Sequence, residues 1–177
     1  MSTFIIVLVV LALAAAALLA FVASRPDSFR IERSIGVNAP PEKVFPLVDD
    51  FKTWGEWSPW EKLDPALERT HSGAAKGVGA IYAWEGNPKV GSGRMEILQS
   101  SPSTRLLIKL DFLKPFEAHN QAEFTFTPDG ARTRVNWAMT GPQAFPMKVM
   151  SLFMSMDKMV GKDFEKGLAS IKEIAER

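Results

Sequence analysis

Residues 105–140 read RLLIKLDFLKPFEAHNQAEFTFTPDGARTRVNWAMT, and their pattern decides the fold class. Apolar and polar side chains alternate along this stretch, and a period of two is typical of a β-strand with one buried face. The segment Pro128-Asp129-Gly130 is a strong signal for a hairpin turn. We therefore predict strands at 105–112, 118–127 and 132–140, in an antiparallel sheet with one wet face and one buried face.

The chain before this stretch consists of strand-like runs separated by turn residues. Strands are predicted at 29–37, 66–71, 80–84 and 94–99. Between the first two, the segment NAPPE at 38–42 favours a helix start, because proline is tolerated in the first turn of a helix. Residues 49–60 indicate a second short helix and a turn. They contain Trp54, Trp57 and Trp60, which either form a pocket mouth or membrane contact or plug the open end of the sheet.

The chain after the strands is predicted to form one long helix. From Met147 to Glu176 apolar residues recur at spacings of three and four, so an apolar stripe would lie across the sheet. Gly161 and Gly167 each cost about 1 kcal/mol relative to alanine inside a helix, and close approach to the sheet or a local bend would explain them. This element order predicts an α+β fold. A curved sheet around a single helix leaves room for a cavity between them.

The N-terminal segment has a different character. Residues 2–24 carry no charged side chain, and a bilayer core of ~30 Å needs roughly 20 apolar residues in a helix. We predict a transmembrane anchor at 1–24, a linker at 25–28 and a globular domain at 29–177. Arg25, Arg30 and Arg33 favour a single-pass protein with a cytoplasmic domain. The alternative is a signal peptide cleaved near 22–24 (VAS) and an exported domain, although the apolar run is long and no Lys or Arg precedes it.

Several short stretches carry a family resemblance: NAPPEKVF at 38–45, DDFKTWGEWSPW at 49–60, GVG at 77–79, WEGN at 84–87 and FEKGL at 164–168. In these and in element order, residues 29–177 resemble the START-like (SRPBCC) superfamily of polyketide cyclases, dehydrases and lipid-transfer proteins. The resemblance implies the helix-grip fold of the Bet v 1 allergens, a curved antiparallel sheet of about six to seven strands wrapped around a long C-terminal helix. It does not fix a function, because this fold hosts transporters, sensors, cyclases and hydrolases.

The candidate ligand-binding residues are the inward-facing apolar positions of the predicted sheet and helix. A cavity lined by them would bind a hydrophobic small molecule or lipid, and methionine adapts well to varied apolar shapes. The alternative is that the same side chains fill a dry core. The strand residues are Tyr82, Trp84, Met95, Leu110, Phe112, Phe124, Phe126, Trp137 and Met139, and Met150, Phe153 and Met154 are the predicted lid.

Composition argues against several classes of site. The chain has no cysteine, which excludes a disulfide framework, a thiolate metal site and a cysteine nucleophile. His71 and His119 are its two histidines, which disfavours a multi-histidine centre, and we expect no metal and no cofactor. A net charge of +1 gives no strong attraction to nucleic acid.

Three functions remain open at the level of sequence. The first is a membrane-anchored domain that binds or carries an apolar molecule. The second is a polyketide cyclase or dehydratase-type enzyme, which needs an acid or base inside the cavity; Tyr82 is the titratable group in the inward set, and His71, Glu85 or His119 beside it would favour this function. The third is a ligand-free regulatory or stress-response domain that binds a protein partner.

Overall fold

A computed structural model describes residues 2–177, so of the predicted anchor only Met1 lies outside the described residues. Seven strands form one antiparallel sheet in the order β1-β7-β6-β5-β4-β3-β2. This arrangement, with a C-terminal helix and an apolar N-terminal helix, confirms the predicted α+β helix-grip fold. The strands are β1 (Ser28–Val37), β2 (Glu68–Gly73), β3 (Ala80–Glu85), β4 (Ser92–Ser101), β5 (Arg105–Lys114), β6 (Ala118–Asp129) and β7 (Arg132–Pro142).

Helix α1 precedes the sheet in the chain, short helices connect β1 to β2, and two helices follow β7. Proline starts several of the short ones, because its missing N–H has no partner in a first helical turn anyway. Pro46, for example, begins α3 directly after α2 has ended. The helices are α1 (Thr3–Ala23), α2 (Pro41–Val44), α3 (Pro46–Asp49), α4 (Trp54–Trp57), α5 (Phe145–Met150) and α6 (Met156–Ala175), with 3-10 turns at Phe51–Thr53 and Pro59–Lys62.

The prediction of one helix from Met147 to Glu176 is wrong, because the structure has two helices there. α5 ends at Met150, and α6 begins at Met156 after a short connection. Ser155 is the N-cap of α6, and its hydroxyl accepts a hydrogen bond from the Lys158 N–H at 3.3 Å. Serine is a preferred N-cap residue, since its side chain satisfies a backbone donor that the helix leaves free. The apolar spacing continues through this break, and that continuity explains the error.

α6 runs alongside the edge strand β1 and is attached to it near its start by Arg33. The Arg33 guanidinium donates to Asp157 at 2.9 Å and to Glu165 at 2.8 Å. A Cβ atom at Gly161 would lie 2.1 Å from Arg33 Nη2, so the glycine makes room for this guanidinium. Close approach, one of the two predicted reasons for the helical glycines, therefore holds at position 161.

From Phe164 to its end, α6 packs against an aromatic core. The Trp137 ring stacks on Phe164 with centroids 4.0 Å apart and on Phe124 at 4.8 Å. A Cβ atom at Gly167 would lie 2.9 Å from the Trp137 ring, so glycine allows the helix to approach the sheet this closely. Trp57, 2% exposed, fills the remaining space with its ring edge-on to Trp137. Beyond these rings α6 is closely packed, with Leu168 and Ile171 1% and 0% exposed.

The N-terminal helix α1 stands apart from this core. It has a mean hydropathy of 3.2, and 6% of its most apolar window is buried, so by length and composition it is able to cross a membrane. Val22, near its end, is its one buried residue, and α1 packs against α5. The other large side chains of α1 are exposed, as the surface of a helix in lipid would be.

Candidate ligand-binding cavity

A cavity of about 300 Å³ lies between the concave face of the sheet and the first half of α6. This volume is at the lower end of the range for small-molecule sites, roughly 300–1,000 Å³. Its wall is almost entirely apolar and aromatic. The lining residues are Trp54, Ser58, Trp60, Glu61, Leu67, Tyr82, Trp84, Val90, Met95, Leu110, Phe112, Ala122, Trp137, Met139, Val160 and Phe164.

The cavity lies near one end of the sheet. This end, here called the α1-side rim, contains the first residues of β1, β4 and β6 and the last residues of β3, β5 and β7. The cavity-lining residues Trp84, Phe112 and Met139 are close to these strand ends. The opposite half of the same sheet face is packed solid, with Leu106 and Phe126 buried there. The final helix thus fills only part of the sheet's concave face.

The structure brings most of the predicted strand residues together around this cavity. Phe124 and Phe126 do not line it; they lie farther along β6, where they are fully packed in the core. The residues that do line it are Tyr82, Trp84, Met95, Leu110, Phe112, Trp137 and Met139.

The predicted lid does not cover the cavity. Met150, Phe153 and Met154 lie on α5 and the connection after it, and their side chains are 50%, 84% and 48% exposed. None of them is among the lining residues. The physical reason is the helix break before Met156, which separates this segment from the helix that spans the sheet.

Several lining residues are missed by sequence reasoning. Glu61 lies in a 3-10 turn and Val90 in the β3–β4 connection, and neither segment has a periodic pattern that assigns a face. Trp54 and Trp60 also line the cavity, so the tryptophan-rich segment forms part of its wall as well as of the core. The close spacing of the tryptophans is the sequence feature that could have predicted this part of the cavity wall.

The apolar wall contains one polar cluster. The Tyr82 hydroxyl donates to Glu61 Oε1 at 2.5 Å, and Arg69 Nε donates to Glu61 Oε2 at 2.6 Å. The Glu61 side chain is 8% exposed. Burial raises the pKa of the Tyr82 phenol well above its ordinary value, and the Glu61 carboxylate raises this pKa further. Tyr82 therefore stays neutral at physiological pH, and because its one O–H is donated to Glu61, its oxygen is left to accept a hydrogen bond from a guest molecule.

Trp137 adds an unsatisfied donor beside the cavity. Its indole N–H is the one buried side-chain polar group without a hydrogen-bond partner in residues 2–177. Leaving a buried donor unsatisfied costs about 1–3 kcal/mol. A ligand oxygen that accepted this hydrogen bond would recover part of that cost.

The other titratable candidates do not line the cavity. His71 is the cross-strand partner of Tyr82 and lies on the same face of the sheet, with the two ring centroids 5.1 Å apart, but it is exposed on the edge strand β2 and does not line the cavity. Glu85 pairs with Lys114 at 3.0 Å at the surface. His119 Nδ1 lies 2.8 Å from the Asp111 carboxylate, away from the cavity. Glu61 is therefore the carboxylate that accompanies Tyr82.

The Asp111–His119 pair gives a testable pH dependence. The hydrogen bond to Asp111 raises the pKa of the His119 imidazole above its ordinary value, and the charges of Asp111 and Glu117 add to this effect. A raised folded-state pKa stabilises the fold below the unfolded histidine pKa of about 6.5 and loses this contribution as the pH rises through the folded-state value. We expect Asp111→Asn to move the His119 titration measured by NMR back toward 6.5. An unchanged titration in this variant would contradict the pairing.

An antiparallel sheet that grips a long helix defines the helix-grip fold, and here the sheet and helix enclose an apolar cavity. The chain belongs to the polyketide cyclase / dehydrase and lipid transport family, whose family model matches residues 28–176. Within residues 2–177, no group of three His, Cys, Asp or Glu side chains is placed to hold a metal ion. No curated protein matches the chain.

Solved structures share the fold at low sequence identity. Protein CV1439 from Chromobacterium violaceum is 14% identical with a TM-score of 0.59, over 86% of this chain and 99% of that one. The protein TTHA0849 from Thermus thermophilus is 19% identical with a TM-score of 0.57, over 83% and 97%. The di-domain ARO/CYC BexL from the BE-7585A biosynthetic pathway is 13% identical with a TM-score of 0.64, over 88% of this chain and 52% of BexL.

Proposed function

We propose that the chain is a membrane-anchored domain that binds or carries a hydrophobic small molecule or lipid in its cavity. Residues 1–24 form the anchor, 25–28 the linker and 29–177 a cytoplasmic domain. The observation that carries this proposal is the apolar cavity of about 300 Å³. An empty apolar cavity of this size destabilises a fold by on the order of several kcal/mol, so a guest that fills it would recover stability.

Two features support the anchor. The α1 segment spans Thr3–Ala23, and a helix of that length measures about 32 Å, which matches a bilayer core. Arg25 and Arg30 follow it directly and favour a cytoplasmic domain by the positive-inside rule. The intact mass of the protein from its native membrane distinguishes an uncleaved anchor from a cleaved signal peptide.

Native mass spectrometry of the full chain released from nanodiscs tests ligand binding. We expect one apolar molecule per chain to survive gentle detergent removal, because the lining leaves room for a single guest of modest size. Added N-phenyl-1-naphthylamine, a neutral aromatic probe small enough for the cavity, is expected to displace it with the same stoichiometry. Repeated preparations with neither a bound molecule nor stoichiometric binding of this probe would contradict the proposal.

A polyketide cyclase or dehydratase-type enzyme is a second candidate, favoured by the Glu61–Tyr82 contact in the cavity wall. A carboxylate and a phenol in an apolar site are suited to moving a proton during such a reaction. Against this role, Arg69 neutralises the Glu61 charge. The two candidates differ in outcome, since a carrier releases its guest with unchanged mass and an enzyme releases a product of altered structure.

A further inference from the structure

We propose that the apolar side chains exposed on α5, on the connection after it and on the adjoining rim lie in the membrane interface, so that the cavity exchanges its guest with the bilayer. This inference rests on the proposed anchor. The surface, here called the rim patch, consists of Phe116, Phe145, Met150, Phe153, Met154 and Met159.

The exposure of these residues is unusual for a water-facing surface. Phe116 and Phe153 are 81% and 84% exposed, and Phe145 is 44% exposed. Beyond α1, these are the largely exposed phenylalanines among the described residues, and all of them lie at the α1-side rim. At the opposite rim, the β4–β5 and β6–β7 turns at 102–104 and 130–131 carry no large apolar side chain, and the β2–β3 connection at 74–79 exposes one, Val78. Contiguous exposed apolar surface marks a contact with a partner or a membrane.

The α5 part of the rim patch is attached to the end of α1. Arg25, just after α1, donates to the Ser151 hydroxyl at 2.9 Å. Lys148, 4% exposed, donates to the Arg25 carbonyl oxygen at 2.7 Å and to Asp27 at 2.5 Å. With Val22 buried in the same region, these contacts fix α5 at the end of the apolar helix. If α1 spans a bilayer, α5 therefore lies at the level of the interface.

Charge supports a lipid occupant. Between 143 and 155 (QAFPMKVMSLFMS) the one charged side chain is Lys148, which is buried and directed toward the linker. The exposed surface of this segment is therefore apolar and uncharged, as expected for a segment in the acyl boundary of a bilayer. It is continuous with α1, whose exposed side chains fit the same lipid phase. These two features favour a bilayer over a second copy of the chain.

The rim patch is also next to the cavity. Met159 belongs to it, and the adjacent Val160 lines the cavity. On the other side, Phe112 lines the cavity near the end of β5, and Phe116 follows in the β5–β6 turn. A guest leaving the cavity past these residues would enter apolar surroundings. Exchange with the bilayer avoids exposing the guest to water.

Single-cysteine labelling of the full chain tests this placement, because the natural sequence contains no cysteine. The Phe153→Cys variant is labelled with an NBD fluorophore and placed in phosphatidylcholine nanodiscs that hold one chain each. The Ala131→Cys variant, labelled in the β6–β7 turn, is the matched control. We expect blue-shifted emission and quenching by doxyl-labelled lipid at position 153, with neither effect at position 131. Aqueous emission at both positions would overturn the inference. Blue-shifted emission without lipid quenching would also overturn it, because protein would then cover the patch.

Two further readouts separate this inference from the proposed function. Size-exclusion chromatography reports whether the chain stays with the disc, and native mass spectrometry of the same samples reports the bound guest. A chain that stays in the disc and holds its guest, but shows no lipid quenching, contradicts the rim contact alone. A chain that leaves the disc contradicts the anchor, and an anchored chain without a guest contradicts the ligand site.

Discussion

Replacing Ala122 with phenylalanine is expected to weaken binding of an apolar ligand by about a hundredfold or more, equivalent to roughly 3 kcal/mol. Ala122 is 4% exposed on β6, pairs with Ile108 on β5 and Met139 on β7, and lines the cavity. A cavity of ~150 Å³ holds one benzene molecule, so a phenyl ring would use about half of the available volume. The ring would fill the space that the guest needs without changing the charge of the site.

The measurement is energy transfer from tryptophan to N-phenyl-1-naphthylamine, titrated into the full chain in nanodiscs. Ala83→Phe is the matched control, because Ala83 lies between the cavity-facing Tyr82 and Trp84 and therefore points to the other face of β3. This control is expected to bind like the natural chain. Ala122→Leu, which adds less volume, is expected to give an intermediate affinity. Equal affinity of Ala122→Phe and the natural chain, both folded by circular dichroism, would refute a ligand site in this cavity.

Local patterning explains why so much of the sheet was predictable. The alternation of apolar and polar side chains around Leu110, Phe112 and Met139 indicates which face of the sheet is buried. The turn at Pro128-Asp129-Gly130 sets the register in which β6 pairs with β7. The same alternation continues through Phe124 and Phe126, which belong to the packed core instead of the cavity. Alternation identifies a face but not a position along the strand. Where α6 leaves the sheet uncovered is decided by tertiary packing.

The unpredicted parts of the site depend on contacts between distant segments. Glu61 is part of the cavity wall because Arg69 and Tyr82 hold its carboxylate, and no local repeat records those contacts. The lid error has a different origin. An apolar stripe continues through Phe153 and Met154, and its spacing does not show that one helix ends at Met150 and the next begins at Met156.

Replacing Trp137 with alanine is expected to lower the free energy of unfolding by about 3–5 kcal/mol. Trp137 is 3% exposed and is sandwiched between Phe124 and Phe164, so the substitution removes two stacked contacts and extends the cavity into the core. A domain of this size loses roughly 2–4 °C in melting temperature per kcal/mol, so we expect a decrease of about 10 °C. Thermal unfolding of the full chain in detergent, followed by near-ultraviolet circular dichroism, measures it.

Trp137→Phe separates the stacking from the buried N–H. Phenylalanine keeps an aromatic ring between Phe124 and Phe164 but removes the indole nitrogen, which has no hydrogen-bond partner. Relief of that unsatisfied donor offsets part of the lost ring contact, so we expect at most about half of the destabilisation caused by alanine. Trp60→Ala is a control at a partly buried ring and should also cost less than Trp137→Ala. Equal losses in all three variants would contradict the packing of Phe164 in α6 on the Trp137 ring. These two rings would then not separate the cavity from the rest of the core.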